Sequence, residues 1–146
     1  MGLKRRPAPS PPGRPFANAA VADVFASYPN SVRADLLAVR ELIFQVASDT
    51  DGVGEVEETL KWGQPAYLTC ATKSGTTIRL GPGTAEGSYA LYVHCQTTLI
   101  DTVRALYGDA FRYLKNRGVL FQSTDRRPAE LAHVVQLALT YHQPTA

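Results

Sequence analysis

The chain has 146 residues, 45% hydrophobic and 19% charged, a length and balance that fit one globular domain. No apolar run approaches the ~18 residues of a membrane helix and the N-terminus lacks the apolar core of a secretory signal, so the expectation is a cytoplasmic protein with no membrane partner. The formal charge of +2 is uneven: residues 1–15 carry Lys4, Arg5, Arg6 and Arg14 with no acid, leaving 11 basic against 13 acidic residues beyond them, net −2. A domain of that sign argues against specific nucleic-acid binding.

Residues 1–15 also hold Pro7, Pro9, Pro11, Pro12 and Pro15, too polar and proline-rich to supply a core, and read as a disordered basic tail ahead of a domain spanning 16–146. Val21, Val24, Phe25 and Tyr28 recur at helical spacing and Pro29 stops the run, which predicts a short helix. Val32, Leu36, Val39, Ile43 and Val46 then predict a longer second helix ending near Asp49 to Gly52, with Asn30 or Ser31 as its cap.

From Val56 to Cys95 the period changes to two. Val56, Leu60 and Trp62 alternate with Glu57, Thr59 and Lys61; Leu68 and Cys70 with Tyr67 and Thr69; Ile78 and Leu80 with Thr77 and Arg79; Leu91, Val93 and Cys95 with Tyr92 and His94. Four strands with one apolar face follow. They are separated at Gly63 and Pro65, at Lys73 to Gly75 and at Gly81 to Gly87, breaks short enough for antiparallel hairpins. Thr98 and Asp101 match a capping box ahead of a helix through Tyr107, closed by Gly108. Gly118 to Gln122 suggest a fifth strand, and Pro128 opens a last helix whose apolar stripe is Leu131, Val134, Val135, Ala138 and Leu139. Clustered strands with helices at both ends indicate an α+β domain, with an antiparallel sheet of four to five strands carrying helices on one face.

Glu58, Trp62-Gly63, Pro65 and Tyr67, with the Leu36-Leu37-Ala38-Val39-Arg40 helix before them and Tyr89 to Cys95, Tyr107-Gly108-Asp109 and a closing helix after, resemble the YdhG-like domain-of-unknown-function family over about residues 17–143. The resemblance implies a compact α+β bacterial domain. One branch of that family has been likened to frataxin-type iron chaperones, which implies iron as a candidate metal.

Four groups of residues are candidates for function. Asp49, Asp51, Glu55 and Glu57, at the junction of the second helix and first strand, are hard oxygen donors suited to a divalent cation, or an ordinary polar turn. Glu58 falls on the apolar face, where a carboxylate needs a partner; it pairs with Arg40 or Arg117, caps a backbone break, or anchors a ligand beside Trp62. The opposite face displays Lys61, Tyr67, Thr69, Arg79, Tyr92 and His94, in which rings and cations together are suited to holding a partner. Cys70 and Cys95 read as core residues, too far apart for a metal motif. Neither His94 with Cys95 nor His133 with His142 has catalytic or metal-binding spacing, and no nucleophile, phosphate-loop or dinucleotide motif occurs. The leading reading is a small accessory protein that binds a protein partner, a second copy of itself included, or a small ligand through the sheet face and the Glu58 to Tyr67 segment. A frataxin-like iron carrier comes second, and an enzyme of unrecognised class third.

Overall fold

A computed structural model of the chain describes residues 14–94, 96–122 and 127–143. Most of the proline-rich tail, Cys95 and Pro144 lie outside the described residues. Helix α1 (Ala19–Ser27) is capped by Asn18, whose Oδ1 accepts from Ala20 N and Val21 N. Helix α2 (Asn30–Asp49) follows Pro29 directly. Neither Asn30 nor Ser31 caps it; the N-cap is Pro29, and its carbonyl accepts from Val32 and Arg33. Arg33 in turn reaches back to the carbonyls of Phe25, Ala26 and Tyr28, satisfying the orphan acceptors at the end of α1.

The sheet is α+β in its setting and wholly antiparallel. Its strands are β1 (Glu57–Lys61), β2 (Gln64–Leu68), β3 (Ile78–Pro82), β4 (Ser88–Tyr92), β5 (Arg112–Leu114) and β6 (Gly118–Gln122), in the order β1-β2-β3-β4-β6-β5. The strand beyond the expected five is β5, which at three residues is too short to show a period. Gly81 and Pro82, expected in a turn, belong to β3. Helix α3 (Leu99–Tyr107) follows β4 and runs into a single 3-10 turn, Gly108–Ala110; α4 (Pro128–Leu139) closes the domain with proline in its first turn. Thr98 makes no capping bond to α3, so the expected capping box is absent; its N–H instead donates to Tyr141 Oη.

Strand register sorts the side chains into two faces. Glu58 lies opposite Tyr67 and Tyr67 opposite Ile78; Leu80 lies opposite Leu91 and Leu91 opposite Val119; Tyr89 lies opposite Phe121. This inner face shares one core with Leu36, Val39 and Ile43 of α2, Leu99, Ile100 and Val103 of α3, and Leu131, Val134, Val135, Ala138 and Leu139 of α4. The loop before β3 is fused to the end of α4. Thr76 N donates to Ala138 O, Ser74 Oγ to Leu139 O, and His142 N to Ser74 O. Gly75 permits that approach, because a Cβ there would stand 2.6 Å from Leu139 Cα.

Two inward assignments are corrected by the register. Leu68 is only half-buried and Cys70 is exposed, whereas Tyr67 and Thr69, expected to face outward, are buried. The cause is the β1–β2 turn: Lys61 opposes Gln64 across a two-residue loop, so alternation continues through Pro65 and Tyr67 instead of restarting at Leu68.

Candidate functional site

The β1–β2 hairpin has a buried end and an exposed end. At the buried end, Arg40 of α2 donates from Nε to Glu58 Oε2 (2.6 Å) and from Nη2 to Glu58 Oε1 (3.0 Å), a two-pronged pairing. Tyr67 Oη donates to the same carboxylate at 2.7 Å. The Arg40 side chain is 2% exposed and that of Glu58 9%. Remaining donors of Arg40 go to the carbonyls of Arg14 and Pro15 and to Glu41, and its guanidinium lies 3.9 Å from the centre of the Phe16 ring. Burial pulls the Arg40 pKa down, but the hydrogen bond and charge of Glu58 outweigh it and leave the pKa raised. Burial first, and the Glu58 carboxylate second, hold the Tyr67 phenol far above its ordinary range. Every polar group here has a partner inside the domain, so the cluster joins the N-terminal segment, α2 and the hairpin. Of the two expected arginine partners for Glu58, Arg40 is the one that meets it; Arg117 lies instead near Tyr92.

At the exposed end sits Trp62. Expected on the apolar face, it occupies the first position of the turn, 88% exposed, with φ 55° beside Gly63 at φ 73°. Positive φ at both positions is the type I′ geometry that fits the twist of a two-residue hairpin, where Asn-Gly is the usual pair. A bulky residue in that region is strained by about 1–3 kcal/mol.

Behind the tip, no helix among the described residues covers the outer sheet face. Lys61, Arg79 and Tyr92 lie on it; Tyr67, expected with them, is on the inner face because it pairs with Glu58. Tyr92 lies over Gly81 and Gly118, where a Cβ would stand 3.5 and 3.2 Å from its ring, and its hydroxyl donates to Pro82 O. Arg79 donates to Gln64 Oε1 and stands 5.6 Å from the Tyr92 ring centre. Burial raises the Tyr92 pKa although Arg79 and Arg117 act against it. His94 is exposed just past β4, its Nδ1 accepting from Gln96 N. Gln64 and Arg117 were not among the expected residues of this surface. Counting two turn residues between Lys61 and Gln64 was the signal that could have placed Gln64.

The acidic candidates are not gathered. Asp49, Asp51, Glu55 and Glu57 are all exposed; Asp49 accepts from Gln45 Nε2, and Glu57 accepts from the Cys70 thiol at 2.8 Å. Among the described residues no three His, Cys, Asp or Glu side chains form a metal-holding group. Glu55, Glu57 and Glu58 do border a cleft of about 470 Å³ with Phe44 and Cys70, where the Arg14 guanidinium lies 4.1 Å from the centre of the Phe44 ring. The Glu57 hydrogen bond raises the Cys70 pKa, moving it away from a reactive thiolate at neutral pH. A further pair the sequence did not reveal is Tyr107 with His133, hydrogen-bonded through Nδ1 between α3 and α4. No helix among the described residues is long and apolar enough to cross a membrane. No family profile, curated protein or solved structure matches the chain.

Proposed function

We propose that the chain is a cytoplasmic accessory protein of the YdhG-like family that works by binding, holding a protein partner against the outer sheet face with Trp62 at its corner. The observation that carries this reading is Trp62 itself, the sole tryptophan, 88% exposed and at positive φ. Tryptophan is the residue type most enriched among binding hot spots, since it supplies a large rigid contact area at little cost in entropy. At this position it fills no internal space and strains the turn, so its benefit lies outside the domain. Arg79 and Tyr92, held flat by Gln64 and Pro82, give the adjoining face a pre-arranged surface. Glu58 and Tyr67 serve it indirectly, by fixing the hairpin that carries Trp62.

The test is retention of a co-purifying protein by the immobilised full chain, compared with Trp62→Asn. The expected result is at least a tenfold loss of affinity with an unchanged or raised melting temperature. Unchanged affinity in the variant overturns the reading.

A further inference from the structure

The outer face is cationic on a domain that is net acidic. Lys61 of β1, Arg79 of β3 and Arg112 of β5 share it, and Arg117 joins them from the β5–β6 turn beside Tyr92. Among the described residues none of these four forms an ion pair. Three other arginines, by contrast, are tied down within the domain. Arg40 is bound by Glu58 and Glu41, Arg104 by Asp101 and the Lys115 carbonyl, and Arg33 by three carbonyls. Glu57, the carboxylate that β1 places on the outer face, sits at the start of the edge strand and accepts from Cys70, and exposed Asp109 borders a cleft with Arg112 and Leu120 without an ion pair to Arg112. Between these cations the face carries the Tyr92 ring with Ala66, Ala90 and half-buried Leu114 and Leu120.

We infer that the occupant of this face is an acidic, extended segment of a partner protein, with apolar side chains alternating with carboxylates. This rests on the sheet-face reading above and adds the partner's chemistry. Six strands at about 4.8 Å spacing give a face roughly 24 Å across, which about seven extended residues span at about 3.3 Å each. Period two in such a segment directs one side-chain set to the floor of Ala90, Leu114 and Leu120, while the other meets Lys61 and Arg112 at the two edges. Arginine is suited to the task, because its planar donor fork pairs with a carboxylate through two hydrogen bonds. Opposite charge also rejects basic partners and speeds encounter.

The experiment uses the full chain with three probes: a peptide of about eight residues alternating glutamate with leucine, the same peptide with lysine for glutamate, and a single-stranded oligouridylate of about twelve nucleotides. The Trp62 emission and the anisotropy of labelled probe are both read. The glutamate peptide should bind and shift the emission, losing at least tenfold in affinity in Lys61→Glu/Arg112→Glu. Both substitutions lie at exposed edge-strand positions, and Arg117→Glu, in a turn, supplies a second variant. Raised salt should weaken binding in the same direction. Equal binding of the lysine peptide, or tighter binding of the oligouridylate with displacement of the glutamate peptide, overturns the acidic-segment inference while leaving the surface reading intact. Absence of binding by every probe, with partner retention still lost in Trp62→Asn, does the same. Partner retention unaffected by Trp62→Asn and by the charge reversals sinks both.

Discussion

The two faces of the sheet use the same residue types in opposite ways. Against the inner face an arginine of α2, a glutamate and a tyrosine bond one another: Arg40 and Glu58 share two hydrogen bonds, Tyr67 supplies a third, and the remaining Arg40 donors go to Glu41 and the carbonyls of Arg14 and Pro15. On the outer face an arginine and a tyrosine, Arg79 and Tyr92, are held by an amide and a carbonyl, and among the described residues the surrounding cations form no ion pair. Burial enforces the first arrangement, since an unpaired charge inside the domain is strongly destabilising. Solvent permits the second, and leaves its charges available to an outside partner. Removing a residue from the inner face should therefore damage the fold, and removing one from the outer face should damage binding alone.

The largest effect belongs to Arg40. Arg40→Ala leaves Glu58 buried without its cation and frees the carbonyls of Arg14 and Pro15, so a loss of about 3–5 kcal/mol is expected in urea denaturation. A loss below about 1 kcal/mol would show that the N-terminal segment and hairpin do not depend on this pair.

Next comes Tyr67→Phe, which deletes the hydroxyl bound to Glu58 and should cost about 1–3 kcal/mol. The buried tyrosines Tyr28 and Tyr67 also set an alkaline limit. Tyr28, whose hydroxyl donates to Leu80 O, is pushed up to about 12, by burial first and Tyr92 second, and Tyr67 higher still. Unfolded phenols titrate near pH 10, so above that pH the folded state holds more protons than the unfolded one. Stability should thus be full below about pH 10 and fall as pH rises toward 12. Urea midpoints measured across that range check the direction; a rise in stability with pH would contradict it.

A smaller effect, of opposite sign, is expected at the hairpin tip. Trp62→Asn places the preferred pair in a type I′ turn and should stabilise the domain by about 1 kcal/mol, raising the melting temperature by a few degrees. Destabilisation would mean that Trp62 packs within the domain and is no docking residue. Smallest is the effect at Cys70, where Glu57→Ala removes the acceptor that raises its pKa. Thiol labelling of the native protein near neutral pH should then become faster; an unchanged rate would show that the hydrogen bond does not control the thiol.

The helices and the antiparallel sheet were legible because their apolar periods are long and uninterrupted, and Glu58 could be placed inward because β1 keeps strict alternation. The face of β2 was not. Leu68 and Cys70 are more apolar than Tyr67 and Thr69, so hydrophobicity alone points them inward. The inner face at that point is polar, however: Tyr67 meets Glu58, and Thr69 Oγ1 accepts from Gly75 N. Composition could not reveal which polar residues would satisfy one another. The length of the Trp62-Gly63 turn carries the register, and with it the position of Tyr67 and the exposure of Trp62. The gathering of Lys61, Arg79, Arg112 and Arg117 on one face arises from pairing between strands distant in sequence, so it emerges only in three dimensions.

Because the chain has a single tryptophan, emission from Trp62 is the most direct measure of whether the outer face is the working surface. In the free protein the indole should emit as a water-exposed group, in keeping with its 88% exposure. On addition of the purified partner, the spectrum should move to shorter wavelength as the ring is covered, with the shift titrating at the same affinity as binding. A partner that binds while the Trp62 emission stays unchanged would place the interface elsewhere and contradict the account.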